Sequence, residues 1–305
     1  MVKVLVLGAS GMLGSMVVQW LRLASRFDLS ASVRDPELLK LCSEKNPDIS
    51  WHLLDWPVLT DDSWRSAFQG VDWIINAIGV TKPYIDDQDV GKVLTAIQIN
   101  GVLPHVVANL ASECGANVLQ IATDCVFSGS QGSYSEEDLH DAVDAYGKTK
   151  SIGEVYADSV SHIRCSIIGP ELRRKTFLLE WFLSQPPQAE IFGFTNHLWN
   201  GVTTLHFAKI CQGIIDNDFQ LGHLHHLIPK DCVTKSELLN VFGEEFERED
   251  VSISPTDADL AVDMTLASNH DSVNNELWRM AGYSDSPTVK DMMEELAEFM
   301  AKYWV

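Results

Sequence analysis

The chain has 305 residues, of which 46% are hydrophobic and 21% charged, a composition typical of a soluble globular protein with one large core or two interleaved domains. The formal net charge of −21 disfavours nucleic-acid binding, because a polyanion would be repelled. The six cysteines show no Cys-x-x-Cys spacing, Met1 leads into an apolar run without a charged leader, and no later apolar run approaches a membrane span. We therefore expect a reduced, cytoplasmic location.

The N-terminus has the order strand, glycine turn, helix. Residues 2–7 form a short apolar run typical of a strand buried on both faces. A glycine-rich turn follows at 8–14, and then a helix whose apolar residues recur on one face. Such a turn lets the backbone approach a pyrophosphate, whose charge the helix N-terminus would receive. The residues that we predict to bind a dinucleotide are Gly8, Ser10, Gly11, Met12, Leu13 and Gly14.

Two further predicted strands, at 29–33 and 49–54, lead into charged residues. An arginine at the end of the second strand can pair with a 2′-phosphate, whereas an acidic residue there would bind the ribose 2′-hydroxyl. Arg34 therefore favours NADP(H), although the adjacent Asp35 could reverse the preference and leaves NAD(H) open. Asp55 follows the third strand, where it would meet the adenine edge or serve as an ordinary loop residue.

The rest of the first half continues the alternation of strands and helices. The predicted elements are a strand, a long helix and two more strands, at residues 71–78, 88–114, 117–123 and 162–168. Asn76, Ala77 and Ile78 end the first of these where the cofactor backbone would pass. This alternation predicts an α/β fold with a doubly wound parallel sheet covered on both faces, the Rossmann arrangement.

A candidate catalytic group follows the strand at 117–123. Tyr146 and Lys150 lie one turn apart on a predicted helix, so they share a face. A phenol with a pKa of about 10 is a poor proton donor, and we expect the nearby ammonium to lower that pKa. Thr123 ends the strand, and its hydroxyl could share a carbonyl oxygen with the phenol. Tyr-x-x-x-Lys also occurs by chance, so this prediction depends on the glycine turn upstream.

The last third carries fewer chemical signals. We expect helices and one strand at residues 172–184, 202–215, 222–229 and 287–304, with an aromatic, polar segment at 190–201. His223 and His225 share a face of the predicted strand, but no third ligand is evident, so we predict no metal site.

Taken together, these motifs resemble those of the extended short-chain dehydrogenase/reductases. The segments IATDCVFSG, GSYSEEDL, AYGKTKSIGE and RCSIIGPE most resemble the dTDP-4-dehydrorhamnose reductase branch, strongly across residues 1–170 and weakly beyond. The resemblance implies NAD(P)H-dependent reduction of a nucleotide-linked 4-keto-6-deoxy sugar. By this resemblance Tyr146 would donate a proton to the substrate carbonyl, and Thr123 would bind the carbonyl oxygen. Lys150 would hold the nicotinamide ribose and lower the pKa of Tyr146. It also implies a place in nucleotide-sugar metabolism and polysaccharide biosynthesis.

The same resemblance implies a smaller, interleaved C-terminal substrate domain. The dinucleotide-binding domain would comprise residues 1–170 plus about 200–226, and the substrate domain about 171–199 plus 227–305. The substrate side would close over the sugar with Arg173, Arg174, Asn196 and Trp199. Trp199 fits the core equally well. The protein could also form a homodimer.

Three departures from this branch leave alternatives open. Cys125 replaces the usual aromatic residue, and GDP-fucose synthases, which epimerise and reduce, similarly place a cysteine two residues after the catalytic serine. Cys125 is therefore a candidate acid/base for epimerisation or a small packing thiol. Ser166 and Ile167 stand where a sugar-contacting tryptophan is usual, and the prolines usual between Glu137 and Tyr146 are missing. A third alternative is a non-catalytic NADP-binding regulatory subunit, similar to those of methionine adenosyltransferase.

Overall fold

The computed structural model describes residues 1–56, 62–173 and 175–304. Its strands are β1 Val2–Leu7, β2 Phe27–Val33, β3 Ser50–Leu53, β4 Trp73–Asn76, β5 Asn117–Thr123, β6 Val160–Cys165, β7 Ile167–Ile168, β8 Glu190–Phe194, β9 His197–Trp199, β10 Val202–Thr203, β11 Leu224–His226, β12 Val233–Thr234, β13 Ser252–Thr256 and β14 Val262–Asp263. Its α-helices are α1 Met12–Ala24, α2 Pro36–Lys45, α3 Asp62–Phe68, α4 Val90–Ala96, α5 Leu103–Cys114, α6 Ala145–Ile152, α7 Leu178–Leu183, α8 Thr204–Asp216, α9 Lys235–Glu245, α10 Asp271–Met280 and α11 Val289–Tyr303. A π-helical segment, Ile97–Val102, joins α4 to α5.

The main sheet consists of β11-β6-β5-β4-β1-β2-β3 in that order. All of its pairings are parallel. The order reverses between β1 and β4, so the carboxyl ends of these strands flank the crevice in which open α/β sheets bind their ligands. The predicted doubly wound parallel sheet is confirmed.

Both faces of this sheet are covered by helices. Val4 and Val6 of β1 point into the core that contains α1 and α8, while Leu5 and Leu7 point into the core that contains α3 and α5. All four side chains are completely buried. Successive side chains of a strand point to opposite faces, which is why β1 is a continuous apolar run.

The remaining elements form a second group at the carboxyl side of the sheet. It contains the pair β13-β8, the small sheet β12-β9-β14 and the helices α7, α9, α10 and α11. The C-terminal helix reaches back to the first group, because Phe299 packs on Trp20 with ring centroids 5.9 Å apart and Gln19 donates to the Tyr303 carbonyl at 3.1 Å. Helix α8 also packs on α1, so the chain passes between the groups more than once. The domain boundaries given above stay a prediction.

Several element boundaries differ from those expected. The helix predicted at 172–184 is wrong in its first half, since α7 begins only at Leu178. The Glu171 carboxylate accepts the amides of Thr176 and Phe177, both at 2.7 Å, and this local bonding competes with helix formation. The strand predicted at 162–168 is two strands, β6 and β7. The helix predicted at 202–215 begins two residues later, because β10 comes first.

The continuous helix Val90–Cys114 is long and apolar enough to cross a membrane by length and composition, with a mean hydropathy of 1.4. The expectation that no apolar run approaches a membrane span is therefore wrong as far as length and composition are concerned. In the structure 44% of the most apolar window is buried inside the protein. The core helix of a globular protein passes the same test, and α5 packs its buried face against the sheet.

Candidate active site

The turn between β1 and α1 has no space for a side chain at Gly8 or Gly14. Gly8 has a φ of +79°, in the left-handed region that favours glycine. A Cβ on Gly14 would lie 2.2 Å from the Gly8 carbonyl oxygen. The Gly8 amide donates to the Ser32 hydroxyl at 3.2 Å and the Gly11 amide donates to the Gly8 carbonyl at 3.0 Å, so the turn is fixed against the end of β2.

Helix α1 presents its N-terminus to this turn. Its N-cap, Gly11, provides no side-chain cap, and the first turn has no acidic residue. The first amides of a helix lack intrahelical partners, so those of Met12, Leu13 and Gly14 are available to a ligand. Together with the helix dipole they form a site for a phosphate group, which fits the diphosphate of a dinucleotide.

Arg34 and Asp35 end β2 at the rim of the same crevice. The Asp35 carboxylate caps α2, accepting the amides of Glu37 at 2.8 Å and Leu38 at 3.4 Å. Arg34 is exposed. Since Asp35 is engaged as a cap, Arg34 is the better placed of the two to meet a cofactor. Asp55 is exposed beyond the end of β3, one strand further out.

The loop after β4 borders the glycine turn. A Cβ on Gly8 would lie 2.9 Å from the Ile78 side chain and 3.3 Å from the Ala77 backbone, so Ala77 and Ile78 lie beside the turn. Asn76 is buried, and its side chain donates to Gln120 at 2.7 Å and accepts the Ile78 amide at 3.1 Å. The side chain of Asn76 therefore shapes the loop from inside the protein.

Thr123 and Tyr146 come together where β5 ends and α6 begins. The Thr123 hydroxyl, which donates to the Asp124 carboxylate at 3.2 Å, lies close enough to the Tyr146 phenol to act on its pKa. The Asp144 carboxylate fixes the start of α6, because it accepts the Gly147 amide at 2.7 Å and pairs with the Lys82 ammonium at 2.8 Å. Two hydroxyls side by side can both hydrogen-bond one carbonyl oxygen, which is the arrangement needed for proton transfer to a ketone.

The pKa of Tyr146 is raised, not lowered as we predicted. Burial raises it well above its usual value and Cys125 acts in the same direction, while the Thr123 hydroxyl offsets only part of the effect. Lys150 is buried and donates to the Ile121 carbonyl at 3.1 Å. Burial also lowers the pKa of Lys150 to about 8. The Tyr146 phenol therefore keeps its proton at neutral pH and can give it to a developing alkoxide.

Cys125 lies directly beside these hydroxyls. Its amide donates to the Thr123 hydroxyl at 3.2 Å. Burial, and next Asp124, raise the pKa of the Cys125 thiol well above its usual value, although Lys82 partly opposes this. The thiol is thus neutral at physiological pH, which suits a packing group or a proton donor better than a general base.

A cavity of about 170 Å³ lies beyond the carboxyl end of β6. Thr123 pairs with Cys165 in the sheet, so the next residue, Ser166, brings the cavity wall close to Thr123. The lining residues are Ser166, Ile167, Ile168, Gly169, Phe177, Leu178, Leu179, Trp199 and Lys235. Trp199 is only 4% exposed, and its indole N–H donates to the Ser166 hydroxyl at 2.9 Å. The tryptophan predicted as either a core or a substrate residue thus forms a fixed wall of this cavity.

A family model described as the RmlD substrate binding domain matches residues 2–169, more than half of the chain. The chain belongs to this family. The match spans the glycine turn, the Thr123–Tyr146 pair and the cavity-lining residues from Ser166 to Gly169. The resemblance to dTDP-4-dehydrorhamnose reductases and the related extended short-chain dehydrogenase/reductases is thereby confirmed. A search of curated protein sequences found no match.

Solved structures share the fold over nearly the whole RmlD-family chain. A dTDP-4-dehydrorhamnose reductase from Clostridium acetobutylicum superposes with a TM-score of 0.69 at 18% identity, covering 98% of this chain and 99% of that chain. The dTDP-4-dehydrorhamnose reductase from Bacillus anthracis in complex with NADP gives 0.71 at 17% identity, with 99% and 100% covered. The UDP-glucuronic acid 4-epimerase from Bacillus cereus in complex with UDP-glucuronic acid and NAD gives 0.74 at 15% identity, with 98% and 99% covered.

Neither Asn196 nor Arg173 is among the described residues that line the cavity of this RmlD-family protein. Asn196 holds a neighbouring loop, donating to the Ala258 carbonyl at 2.8 Å and accepting its amide at 2.9 Å. Burial raises the pKa of the Cys42 thiol in α2, and the charge of the exposed Arg173 opposes this rise. Arg173 therefore lies towards the cofactor side of the protein. Arg174 lies outside the described residues. A role in sugar binding stays a prediction for all three.

Two residues at the site carried no assigned role in the sequence analysis. Asn100, in the π-helical segment, accepts the Val80 amide and donates to the Val80 carbonyl, both at 2.8 Å, and its Nδ2 also lies 3.3 Å from the Thr149 hydroxyl. It thereby ties the loop after β4 to α6. An asparagine inside an otherwise apolar helix is the signal that could have found it. Lys235, in the cavity wall, gave no comparable signal.

Proposed function

We propose that the protein is an NAD(P)H-dependent reductase of a nucleotide-linked 4-keto-6-deoxy sugar, of the dTDP-4-dehydrorhamnose reductase type. The observation that carries the proposal is the proximity of the Thr123 and Tyr146 hydroxyls beside a cavity on the carboxyl side of the sheet. That pair shares the side of the sheet on which the glycine turn offers a phosphate site. Family membership and the fold of the Clostridium and Bacillus reductases support the assignment.

The residues divide the chemistry as follows. Bound NAD(P)H would supply a hydride to the carbonyl carbon of the sugar. Tyr146, which keeps its proton at neutral pH, gives that proton to the carbonyl oxygen, and the Thr123 hydroxyl hydrogen-bonds the same oxygen. Lys150, with a pKa of about 8, remains mostly charged at neutral pH and would hold a ribose hydroxyl of the cofactor. The amides of residues 12–14 would hold the diphosphate.

NADP(H) is the cofactor that we favour, and NAD(H) is accommodated less well. Arg34 offers a cation to a 2′-phosphate, while the competing Asp35 is used to cap α2. Among the structures that share the fold, the Bacillus anthracis reductase is in complex with NADP and the Bacillus cereus epimerase with NAD.

An epimerase or epimerase/reductase is the second candidate, because the Cys125 thiol lies next to Thr123 and Tyr146. Its raised pKa makes it a poor base, which is why we place reduction first. A regulatory NADP-binding subunit without turnover is the third candidate. We further propose that the protein acts in the cytoplasm on nucleotide sugars destined for polysaccharides. Cells that lack it would then lose the reduced sugar from those polysaccharides, and an unchanged sugar composition would contradict this role.

The test begins with titration of the purified protein with NADPH and NADH. The absorbance of the reduced nicotinamide is then followed with a panel of nucleotide 4-keto-6-deoxy sugars. We expect consumption with one sugar, and a fall in kcat of roughly 10²- to 10⁴-fold in Tyr146→Phe with the Kd for NADPH unchanged. Full turnover by Tyr146→Phe would refute the mechanism.

The other outcomes separate the alternatives. Solvent deuterium that enters the sugar carbon in the wild type but not in Cys125→Ser, without net cofactor oxidation, would establish an epimerase. Cofactor binding with neither oxidation nor exchange would establish a regulatory protein.

A further inference from the structure

Lys235 is the first residue of α9, and its side chain lines the cavity beside the candidate catalytic pair. Its ammonium lies 5.5 Å from the centroid of the Trp199 ring, on whose face it rests. It forms no hydrogen bond or ion pair with the residues that the structure describes. A cation–π contact satisfies none of the three N–H donors of an ammonium group.

The other lysines with a largely buried side chain have polar partners. Lys150 donates to the Ile121 carbonyl at 3.1 Å, and Lys209 donates to Tyr283 at 2.7 Å and pairs with Glu295. Burial without a partner disfavours the charged form, and burial accordingly lowers the pKa of Lys235 to about 8, although Asp124 and Cys125 oppose the shift. A largely buried cation held without a polar partner in a cavity wall is arranged for a ligand that brings negative charge.

The position of Lys235 relates it to the reaction. The groups that act electrostatically on its ammonium are Asp124 and Cys125, which directly follow Thr123 in the chain. The Trp199 ring, on which the Lys235 ammonium rests, is held in place by the hydrogen bond from its indole N–H to the Ser166 hydroxyl. Trp199 and Phe177 offer apolar surface to a sugar ring in the same cavity. An anionic ligand that reached Lys235 would therefore carry its sugar alongside Thr123.

We propose that Lys235 binds an anionic oxygen of the sugar-nucleotide substrate and thereby positions the sugar against Thr123 and Tyr146. The inference rests on the proposed function, since it assumes a nucleotide sugar in this cavity. The anionic oxygen belongs to the diphosphate if the substrate is the 6-deoxy sugar proposed above, and to a sugar carboxylate if the substrate is a nucleotide-linked uronic acid. Lys235 is thus a positioning residue that selects for charged substrates.

The test measures calorimetric Kd values of the full-length protein, in the presence of NADPH, for dTDP, UDP, UDP-glucose and UDP-glucuronic acid. We expect Lys235→Met to weaken binding roughly 10- to 100-fold, the effect of losing one charge-assisted hydrogen bond. Lys235→Arg should retain most of the affinity. Lys302→Met is the matched control, because Lys302 also rests on an aromatic ring, 4.9 Å from that of Tyr303, but is fully exposed.

The four probes identify the anion. Weaker binding of all four by Lys235→Met assigns the contact to the diphosphate, and weaker binding of UDP-glucuronic acid alone assigns it to a sugar carboxylate. In either case wild-type affinity should fall above about pH 8, where Lys235 loses its proton, and the Met variant should lack this fall.

Unchanged affinity of Lys235→Met for every probe, or no binding of any probe by the wild type, overturns the proposal. Unchanged binding of NADPH by the variant shows that it has folded. Because binding of dTDP or UDP needs no turnover, this outcome is separate from failure of the reductase assay.

Discussion

At the end of β2, Arg34 and Asp35 are adjacent but act on different groups. Asp35 is held by the amides of α2, which leaves the exposed Arg34 as our candidate for pairing with a 2′-phosphate. We expect Arg34→Ser to raise the Kd for NADPH roughly 10- to 100-fold and to leave the Kd for NADH nearly unchanged, because only the 2′-phosphate loses its cation. Fluorescence titration with each cofactor measures this.

Arg65→Ser is the control for Arg34→Ser, since Arg65 is an exposed arginine of α3 that pairs with Glu113. It should change neither Kd. Equal weakening of NADPH and NADH by Arg34→Ser would mean that Arg34 supports the fold of the crevice and does not read the 2′-phosphate.

Single residues also show what the sequence could and could not reveal about the site. Spacing placed Tyr146 and Lys150 on one helix face, and the end of an apolar strand placed Thr123 nearby. The direction of the Tyr146 pKa could not be predicted, because it depends on burial, which spacing does not contain. In the sequence Lys235 is recognisable only as the first residue of a helix with a capping box. Its position in the cavity wall depends on how α9 packs in the folded protein.

At the scale of elements, the π-helical segment Ile97–Val102 interrupts the long helix where Asn100 bonds Val80. Single-turn π segments often occur at functional sites. We expect Asn100→Leu to lower the free energy of unfolding by about 1–3 kcal/mol, because the amide and carbonyl of Val80 would lose their partner in a partly buried place. Urea denaturation measures the loss, and kcat should fall with it because the loop and α6 are no longer tied together.

Asn109→Leu provides the comparison for Asn100→Leu. Asn109 lies on the exposed face of the same helix and bonds only Glu113, at 2.9 Å. Its loss should cost less than about 0.5 kcal/mol, the usual effect of a surface substitution. Equal losses in the two variants would argue against a tie between the loop and α6.

Local hydrogen bonds explain why periodicity misplaced the start of α7. The residues before α7 have a helical pattern, but the Glu171 carboxylate holds the amides of Thr176 and Phe177 in a loop. Periodicity sees only which side chains are apolar, so it places β1 and β5 correctly, where burial decides the structure. It fails where one side chain competes for the backbone.

For the whole molecule, we expect acid to lower the folding stability through buried histidines of the sheet. His162 on β6 and His226 on β11 are completely buried. His162 accepts the Val155 amide at 3.1 Å, and His226 contacts the buried Arg164 guanidinium at 2.9 Å. Burial lowers the pKa of each imidazole from 6.5 to about 4. Both are therefore mostly neutral in the folded protein at neutral and mildly acidic pH.

The sign of the pH effect follows from these pKa values. Below about pH 6.5 the unfolded chain takes up protons at both imidazoles, whereas the folded protein does so only near pH 4. Their contribution to stability is complete above about pH 6.5 and is lost as the pH falls to about 4, on the order of 3 kcal/mol for each histidine. The net charge of −21 acts in the opposite direction, because partial protonation of the carboxylates relieves their repulsion.

A variant separates the two effects. In urea denaturation between about pH 7.5 and about pH 5, we expect His162→Gln to lose less stability than the wild type, since glutamine can accept the Val155 amide but takes up no proton. His105→Gln, which removes an exposed histidine, should follow the wild-type curve. Parallel curves for wild type and His162→Gln would mean that the unfolded chain and the folded protein protonate His162 alike. Glu295 and Glu136, each with a pKa lowered to about 2, lose their stabilising effect only below about pH 4.5, so they contribute nothing to a loss measured between these two pH values.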